Sequence, residues 1–435
     1  MTIDNSLLRD IRAAVAGRRD ETIGFLGDIV AEPSLLGQEK GAQDRVEAEF
    51  RSLGLAIDRF EPDLEEIRTL PGFSPTVIPS YAGRENVVGL HTPGEAKGRS
   101  LILNGHIDVV PTGPEQLWTT PPFQPSLRDG RMYGRGAGDM KSGIAAYCTA
   151  LHALRSLGLQ PAAPVFLQSV IEEECTGNGA LACLARGYKA DAAIIPEPFD
   201  QSLMVGQLGV MWLTARITGK PAHVLDTSAG INAIEAAYAL FDALRGLEAE
   251  WNDPEHRHDL YRDHAHPVNF NLGRIEGGDW TSSVPCTAAV DIRVGFYPGM
   301  TLGAVRQALE GRIDEAVRTR RELRGAQVAI EYRGFQAEGC VIATDTPLMT
   351  TLTAAHDRIA GTPIRHLAST ATTDVRFFEL YGGIPATCYG AIGGGYHGID
   401  EWVSIDSMMQ VAEVLALFIA EWCGLEERPG TGSGF

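Results

Sequence analysis

Short apolar runs alternate with amphipathic stretches through the N-terminal half of the chain. Runs at 86–91, 100–110, 164–171 and 191–197 have the length and apolar content of buried strands. Between the second and third runs, residues 141–159 place their apolar side chains on one helical stripe. Strands that alternate with helices predict an α/β fold with a mixed, mostly parallel sheet flanked by helices.

The flanking segments extend this pattern. Residues 6–31 predict a helix, residues 42–55 a second helix after a loop, and residues 56–62 a strand. Residues 177–188, after the third buried run, predict another helix. All of these elements suit the same α/β unit.

The pattern changes near residue 208. Residues 209–219 alternate like a half-buried strand, and 230–251 predict a long helix with a stripe of Ile234, Tyr238, Phe241 and Leu244 that packs in a core or a dimer contact. The order that follows is strand, strand, helix, strand, at 270–278, 288–298, 303–317 and 326–335. A small α+β sandwich inserted in the first domain is therefore predicted. The expected domains are 1–207 and 339–435, which form one catalytic unit, and 208–338.

Acidic and imidazole side chains follow the buried runs. His106, Glu174 and Glu197 fall at or just past the C-terminal ends of strands, where open α/β sheets bind ligands. Buried carboxylates are costly unless a positive charge pairs with them. Histidines together with carboxylates are the ligands that divalent metals need. The pattern predicts a metal-dependent hydrolase.

Each motif alone has a simpler interpretation. His106 and Asp108 point the same way on an extended segment, so one can bind metal while the other orients it, but a surface histidine beside an aspartate has the same pattern. Asp139 follows a glycine-rich turn and precedes a helix, where it could bridge two metals or cap the helix.

The other motifs share this ambiguity. The triplet Glu172–Glu174 suits a metal ligand plus a general base, or an exposed acidic turn. Glu197 is fixed between two prolines, and His397 lies in a glycine-rich loop. Occurring together in this order, the motifs predict one metal site.

Composition excludes several classes of protein. The 435 residues suffice for two or three domains, and a net charge of −19 argues against a nucleic-acid partner. Seven scattered cysteines without a CxxC pair indicate reduced thiols in a reducing compartment. The charged, amphipathic N-terminus differs from a signal peptide, and no apolar run reaches the roughly 18 residues of a membrane span. A cytoplasmic protein with no membrane partner is expected.

These motifs also carry a resemblance to a known family. The chain resembles the acetylornithine deacetylase and succinyl-diaminopimelate desuccinylase family, with its aminoacylase and carboxypeptidase relatives. The matching segments span most of the chain: 105–111, 117–143, 172–179, 196–198, 219–223, 373–377 and 396–401. The resemblance implies a catalytic domain with two divalent metals, usually zinc with cobalt or manganese as alternatives, and an inserted lid that forms a homodimer.

The resemblance also implies roles for individual residues. Asp139 would bridge the metals, with His106 and Glu197 on one metal and Glu174 and His397 on the other. Asp108 would orient His106, Glu173 would be the general base, and Glu172 would have a supporting role. His223 of the lid would stabilise the oxyanion, often from the partner subunit. Arg293, Thr372 and Arg376 match positions that contact a substrate carboxylate.

The implied reaction is hydrolysis of an N-acyl amino acid or related amine. We hypothesise that a water held between the metals gives its proton to Glu173 and attacks the amide carbonyl. The acyl group could be acetyl, formyl or succinyl. A dipeptidase or carboxypeptidase, which would need an amino group on the acyl side, is the alternative, and a catalytically idle binding protein would have lost a ligand or the base. Relatives often carry Ser-Gly-Gly where this chain has Ser369, Thr370 and Ala371, a difference that bears on the substrate and not on the metals.

Overall fold

A computed structural model of the protein describes residues 3–428. The helices of this region are α1 (Asn5–Ala16), α2 (Arg19–Ala31), α3 (Lys40–Ser52), α4 (Leu64–Ile67), α5 (Ser142–Ser156), α6 (Asn178–Ala185), α7 (Ala233–Asn252), α8 (Leu302–Thr319), α9 (Pro347–Ala360) and α10 (Ile405–Trp422). No helix in this range is long and apolar enough to cross a membrane.

The strands fall into several sheets. They are β1 (Ala56–Phe60), β2 (Asn86–His91), β3 (Leu101–His106), β4 (Ser126–Arg128), β5 (Arg131–Tyr133), β6 (Leu159–Pro161), β7 (Val165–Val170), β8 (Ala193–Ile195), β9 (Leu203–Gln207), β10 (Gly209–Thr218), β11 (Phe270–Gly277), β12 (Thr287–Phe296), β13 (Gln327–Ala337), β14 (Cys340–Val341), β15 (His366–Ser369), β16 (Ala386–Cys388), β17 (Gly393–Gly394), β18 (Trp402–Ser404) and β19 (Leu425–Glu427).

The central sheet confirms the predicted α/β class. Its order is β1-β2-β7-β3-β8-β16. The pairs β7–β3, β3–β8 and β8–β16 are parallel, whereas β1–β2 and β2–β7 are antiparallel. The apolar runs of β3 and β8 are wholly buried, as expected for strands covered on both faces. Helices α1, α5 and α10 pack together beside this sheet.

A second sheet lies between residues 209 and 337. Its order is β11-β12-β10-β13, all antiparallel, and α7 and α8 pack against it over a separate apolar core. The two cores support our proposed division of the chain into 1–207 with 339–435, and 208–338.

Two elements differ from the sequence expectation. The first predicted helix is two helices, because the chain leaves helical hydrogen bonding at Gly17 and restarts at Arg19. Tyr238 is 59% exposed, so it does not share the buried stripe of α7. That stripe instead runs through Ala237, Leu240 and Leu244, one position round the helix.

Candidate metal centre

The central sheet brings three of the motifs to one edge. Strands β3, β7 and β8 are parallel neighbours, so their C-terminal ends meet there. His106 ends β3, the Glu172–Glu174 triplet follows β7, and Glu197 follows β8. His397 reaches the same edge from the loop between β17 and β18 and adopts a left-handed backbone conformation with φ of 57°.

Asp139 lies between the two histidines. The Nε2 atom of His106 is 3.2 Å from Asp139 Oδ1 and 3.6 Å from Glu197 Oε1. The Nε2 atom of His397 is 3.4 Å from Asp139 Oδ2 and 3.1 Å from Glu174 Oε2. The five side chains, here called the ligand cluster, therefore form two sets that share Asp139.

The donor atoms of the ligand cluster fit divalent metal ions. Tetrahedral zinc with bonds of about 2.0–2.1 Å separates its ligand atoms by about 3.3 Å, close to the distances above. Ligand atoms of His106, Asp139 and Glu174 all lie within 4.8 Å of one another. In the described residues, the ion pairs of the cluster's carboxylates run only to its two histidines. Metal cations would supply the missing positive charge.

The backbone of Asp108 orients His106. The Nδ1–H of His106 donates to the Asp108 carbonyl oxygen at 2.9 Å, whereas the Asp108 carboxylate lies 3.8 Å from Nδ1. This bond leaves the Nε2 lone pair free to face Asp139 and Glu197. The Asp108 carboxylate instead accepts the backbone N–H groups of Glu173 and Glu174, each at 3.1 Å. Asp108 thus fixes both the imidazole and the acidic triplet.

Glu173 presents a free carboxylate oxygen. Its side chain is 5% exposed, and Oε1 has no hydrogen-bond partner in the described residues. Burial raises the pKa of Glu173 well above its ordinary value; His106 opposes this increase, and Asp374 and Glu197 add to it. A buried carboxyl with a raised pKa can take up a proton and hold it.

Glu172 faces away from this centre. Its carboxylate accepts hydrogen bonds from Arg84 at 2.5 Å, from the Tyr81 hydroxyl at 2.7 Å and from Thr176 at 2.8 Å. Arg84 also pairs with buried Glu39. This network holds Glu172 with a φ of 65° and so fixes the direction in which the next two glutamates leave β7.

A second anchor, Glu401, was missed by the sequence analysis. Its carboxylate accepts the backbone N–H groups of Gly136, Gly138 and Asp139 at 2.9–3.1 Å, and the Arg135 guanidinium at 2.6 Å. Arg135 also donates to the carbonyl of Gly398 at 2.9 Å. The pair therefore ties the Asp139 turn to the His397 loop. Its only sequence signal is the position of Glu401 four residues after His397.

Comparison with known proteins identifies the family. Residues 102–421 match the model of peptidase family M20/M25/M40. The chain belongs to this family. The N-formyl-4-amino-5-aminomethyl-2-methylpyrimidine deformylase of Bacillus subtilis (strain 168) is 30% identical over 410 residues, which cover 89% of this chain and 91% of that protein.

Solved M20 structures share the fold at low sequence identity. Human carnosine dipeptidase 1 gives a TM-score of 0.74 at 17% identity and covers 96% of this chain and 99% of its own. The dipeptidase Dug1p of Saccharomyces cerevisiae gives 0.77 at 13% identity and covers 96% and 98%. The family and the deformylase relative make this M20 protein a metal-dependent hydrolase of linear amides.

Two cavities of this M20 enzyme meet at the ligand cluster. One of about 300 Å³, the Tyr396 lobe, is walled by Pro198, Phe199 and Tyr396. The other, of about 380 Å³ and here called the Trp212 lobe, is walled by Val77, Val210, Trp212, Arg293 and Phe335, with further side chains. Glu173, Glu174, Thr372 and His397 line both lobes.

Of the other residues predicted to contact the substrate or the oxyanion, some line the cavities and some do not. Thr372 and Arg293 line the Trp212 lobe, whereas Arg376 is wholly buried and lines neither lobe. Arg376 donates to the carbonyls of Thr176 and Thr373 and packs its guanidinium over Phe377. This differs from the expected substrate contact, because the guanidinium is used in holding chain segments together. His223 is exposed on the lid, also outside both lobes, and its Nδ1 accepts the N–H of Leu225.

Proposed function

We propose that this enzyme removes a formyl group from an N-formyl amine, using two divalent metal ions, zinc or else cobalt or manganese. The observation that carries the proposal is the pair of ligand sets that share Asp139. The formyl group is favoured over acetyl and succinyl because the relative in Bacillus subtilis is a deformylase, and it aligns over nearly the whole chain.

We assign Asp139 as the bridging ligand. His106 and Glu197 would be the further ligands of one metal, and Glu174 and His397 those of the other. The four nitrogen–oxygen distances of 3.1–3.6 Å support this pairing. The metals, when bound, polarise an amide oxygen and lower the pKa of a water molecule.

Glu173 moves the proton in this mechanism. Its free Oε1 would accept a proton from the attacking water and deliver it to the leaving amine nitrogen. Asp108 holds the backbone of Glu173 in place through both steps.

The lid would complete the site in a homodimer. We propose that His223 of the partner subunit donates to the tetrahedral oxyanion, because His223 is exposed and lines neither lobe of its own chain. Thr372 and Arg293 would position the substrate. All seven cysteines are free thiols, which supports a cytoplasmic location.

A panel of N-formyl, N-acetyl and N-succinyl amines and dipeptides tests the proposal, with amine release measured before and after chelation. We expect chelator-sensitive release from the formyl compounds. Turnover of dipeptides alone would replace the deformylase assignment with a peptidase, and chelator-insensitive turnover would remove the metal mechanism.

A further inference from the structure

The walls of the Trp212 lobe are mostly apolar, whereas the ligand cluster consists of carboxylates and imidazoles. Val77, Val210, Trp212 and Phe335 present apolar surface beside Glu173 and Glu174. A group bound there loses its hydration shell without gaining many hydrogen bonds, so an apolar or aromatic group is favoured. The formyl group has a single carbon, so the amine half of the substrate must fill the larger lobe.

Trp212 is held rigidly in this wall. Its ring lies edge-on to Phe335, with centroids 5.3 Å apart and planes at 85°. A side chain on Gly334, where φ is 68°, would come within 2.5 Å of Trp212 Cε3, so the benzo edge of the indole packs directly on backbone. The pyrrole N–H is then on the far side of the ring. A fixed aromatic ring loses little conformational entropy on binding a ligand.

Two hydrogen-bond donors of this wall lack acceptors. In the described residues, Trp212 Nε1 is buried without a partner, and the partly exposed Arg293 guanidinium has no hydrogen bond or ion pair. A buried donor left unpaired, as Trp212 Nε1 is, is unfavourable, so a ligand acceptor is expected here. A cavity of about 460 Å³ in the lid is also lined by Val77, Trp212 and Arg293, so the wall continues away from the metals.

From these contacts we infer that Trp212 and Phe335 select a planar heteroaromatic ring in the amine half of the substrate, with the indole N–H and Arg293 donating to its acceptor atoms. This inference rests on the proposed deformylase function. It adds Trp212 as the residue that determines specificity, by aromatic contact and by one hydrogen bond.

Three formamides of similar size separate the contribution of the aromatic contact from that of the hydrogen bonds. They are N-formyl-(pyrimidin-5-ylmethyl)amine, N-formylbenzylamine and N-formyl-(cyclohexylmethyl)amine. We expect kcat/KM to fall about 3- to 10-fold from pyrimidine to phenyl, which loses the acceptor, and by a similar factor from phenyl to cyclohexyl, which loses the flat ring.

Variants at Trp212 should change these ratios selectively. Trp212→Phe should reduce the pyrimidine preference over phenyl to the part that Arg293 supplies, but keep the preference for phenyl over cyclohexyl. Trp212→Leu should reduce both preferences. Trp251→Phe is the matched control, because this tryptophan of the lid packs on Phe270 and lines neither lobe. Thermal unfolding of each variant checks that it is folded.

Calorimetric binding of the free amines distinguishes this inference from the proposed function. If the wild type hydrolyses no formamide but binds pyrimidin-5-ylmethylamine more tightly than cyclohexylmethylamine, the ring-selecting wall stands and the deformylase proposal fails. If formamides are hydrolysed with cyclohexyl equal to or better than the aromatic compounds, or if Trp212→Leu leaves the ratios unchanged, the inference is overturned.

Discussion

The ligand cluster and the lid position their functional groups by opposite means. Side chains that orient the cluster are buried and accept several hydrogen bonds, as Asp108 and Glu401 do from backbone N–H groups. On the lid, His223 is exposed, and Arg293 has no hydrogen-bond or ion-pair partner among residues 3–428. The contrast fits the proposal that the ligand cluster is preorganised within one chain, whereas the lid residues acquire their partners from a substrate or a second subunit.

The largest loss of activity should come from replacing Asp139, which both ligand sets of the cluster share. Asp139→Asn removes the charge that both ligand sets share, so metal content should drop and amide hydrolysis should fall to the level of chelated enzyme. Metal analysis and amine release check this together. Asp129→Asn, at an exposed turn, is the control and should retain both metals. Two metals retained by Asp139→Asn would refute the bridging assignment.

Glu173→Gln should separate chemistry from metal binding. We expect kcat to drop by about 10²–10⁴-fold with metal content unchanged, because the amide cannot accept the proton of water. Single-turnover assays on metal-saturated protein measure the loss. Activity within a few-fold of the wild type would assign the base to another group.

The proposed role of His223 across the dimer can be tested by mixing two kinds of mutant subunit. His223→Ala should lower kcat about 10²-fold by removing an oxyanion donor. Coexpression of His223→Ala with Glu173→Gln should restore about a quarter of the wild-type activity if His223 acts across the dimer, since half of the dimers would then hold one intact site. No recovery in a confirmed mixed dimer would put His223 in the site of its own chain.

The smallest of these effects is expected from replacing Glu401, which holds the Asp139 turn. Glu401→Gln should weaken metal binding by about 10–100-fold, because the backbone N–H groups around Asp139 lose their charged acceptor. Competition with a chromogenic chelator measures this affinity. Asp400→Asn is the neighbouring control, since Asp400 bonds Thr119 instead. Equal affinities in the two variants would show that Glu401 does not position the ligands.

The sequence pattern predicted best those elements that lie in continuous apolar runs. The runs that became β2, β3, β7 and β8 could be recognised from local composition alone. Strands β15 and β16 contain polar residues and show no such run. Helix α10 is buried on nearly every side, and only a narrow polar stripe through Asp406, Gln410 and Glu413 marks its period.

At the site, the sequence identified the residues that could bind metal better than it identified what each of them contacts. His106, Asp139 and His397 could be singled out because their chemistry is recognisable in sequence, and the fold brings them together. The Asp108 carboxylate bonds backbone N–H groups 65 and 66 residues away, which leaves its carbonyl oxygen for His106. Arg376 bonds the Thr176 carbonyl 200 residues away. Such contacts leave no local pattern.

The bonds of Glu401 to the Asp139 turn also bear on how the active centre forms during synthesis. They join positions 262–265 residues apart, so the turn lacks its acceptor until residue 401 has left the ribosome. Loop closures of this length are slow relative to local folding. The part of the chain before Glu401 can therefore fold its strands early, yet the Asp139 turn gains its acceptor only when the segment around Glu401 docks.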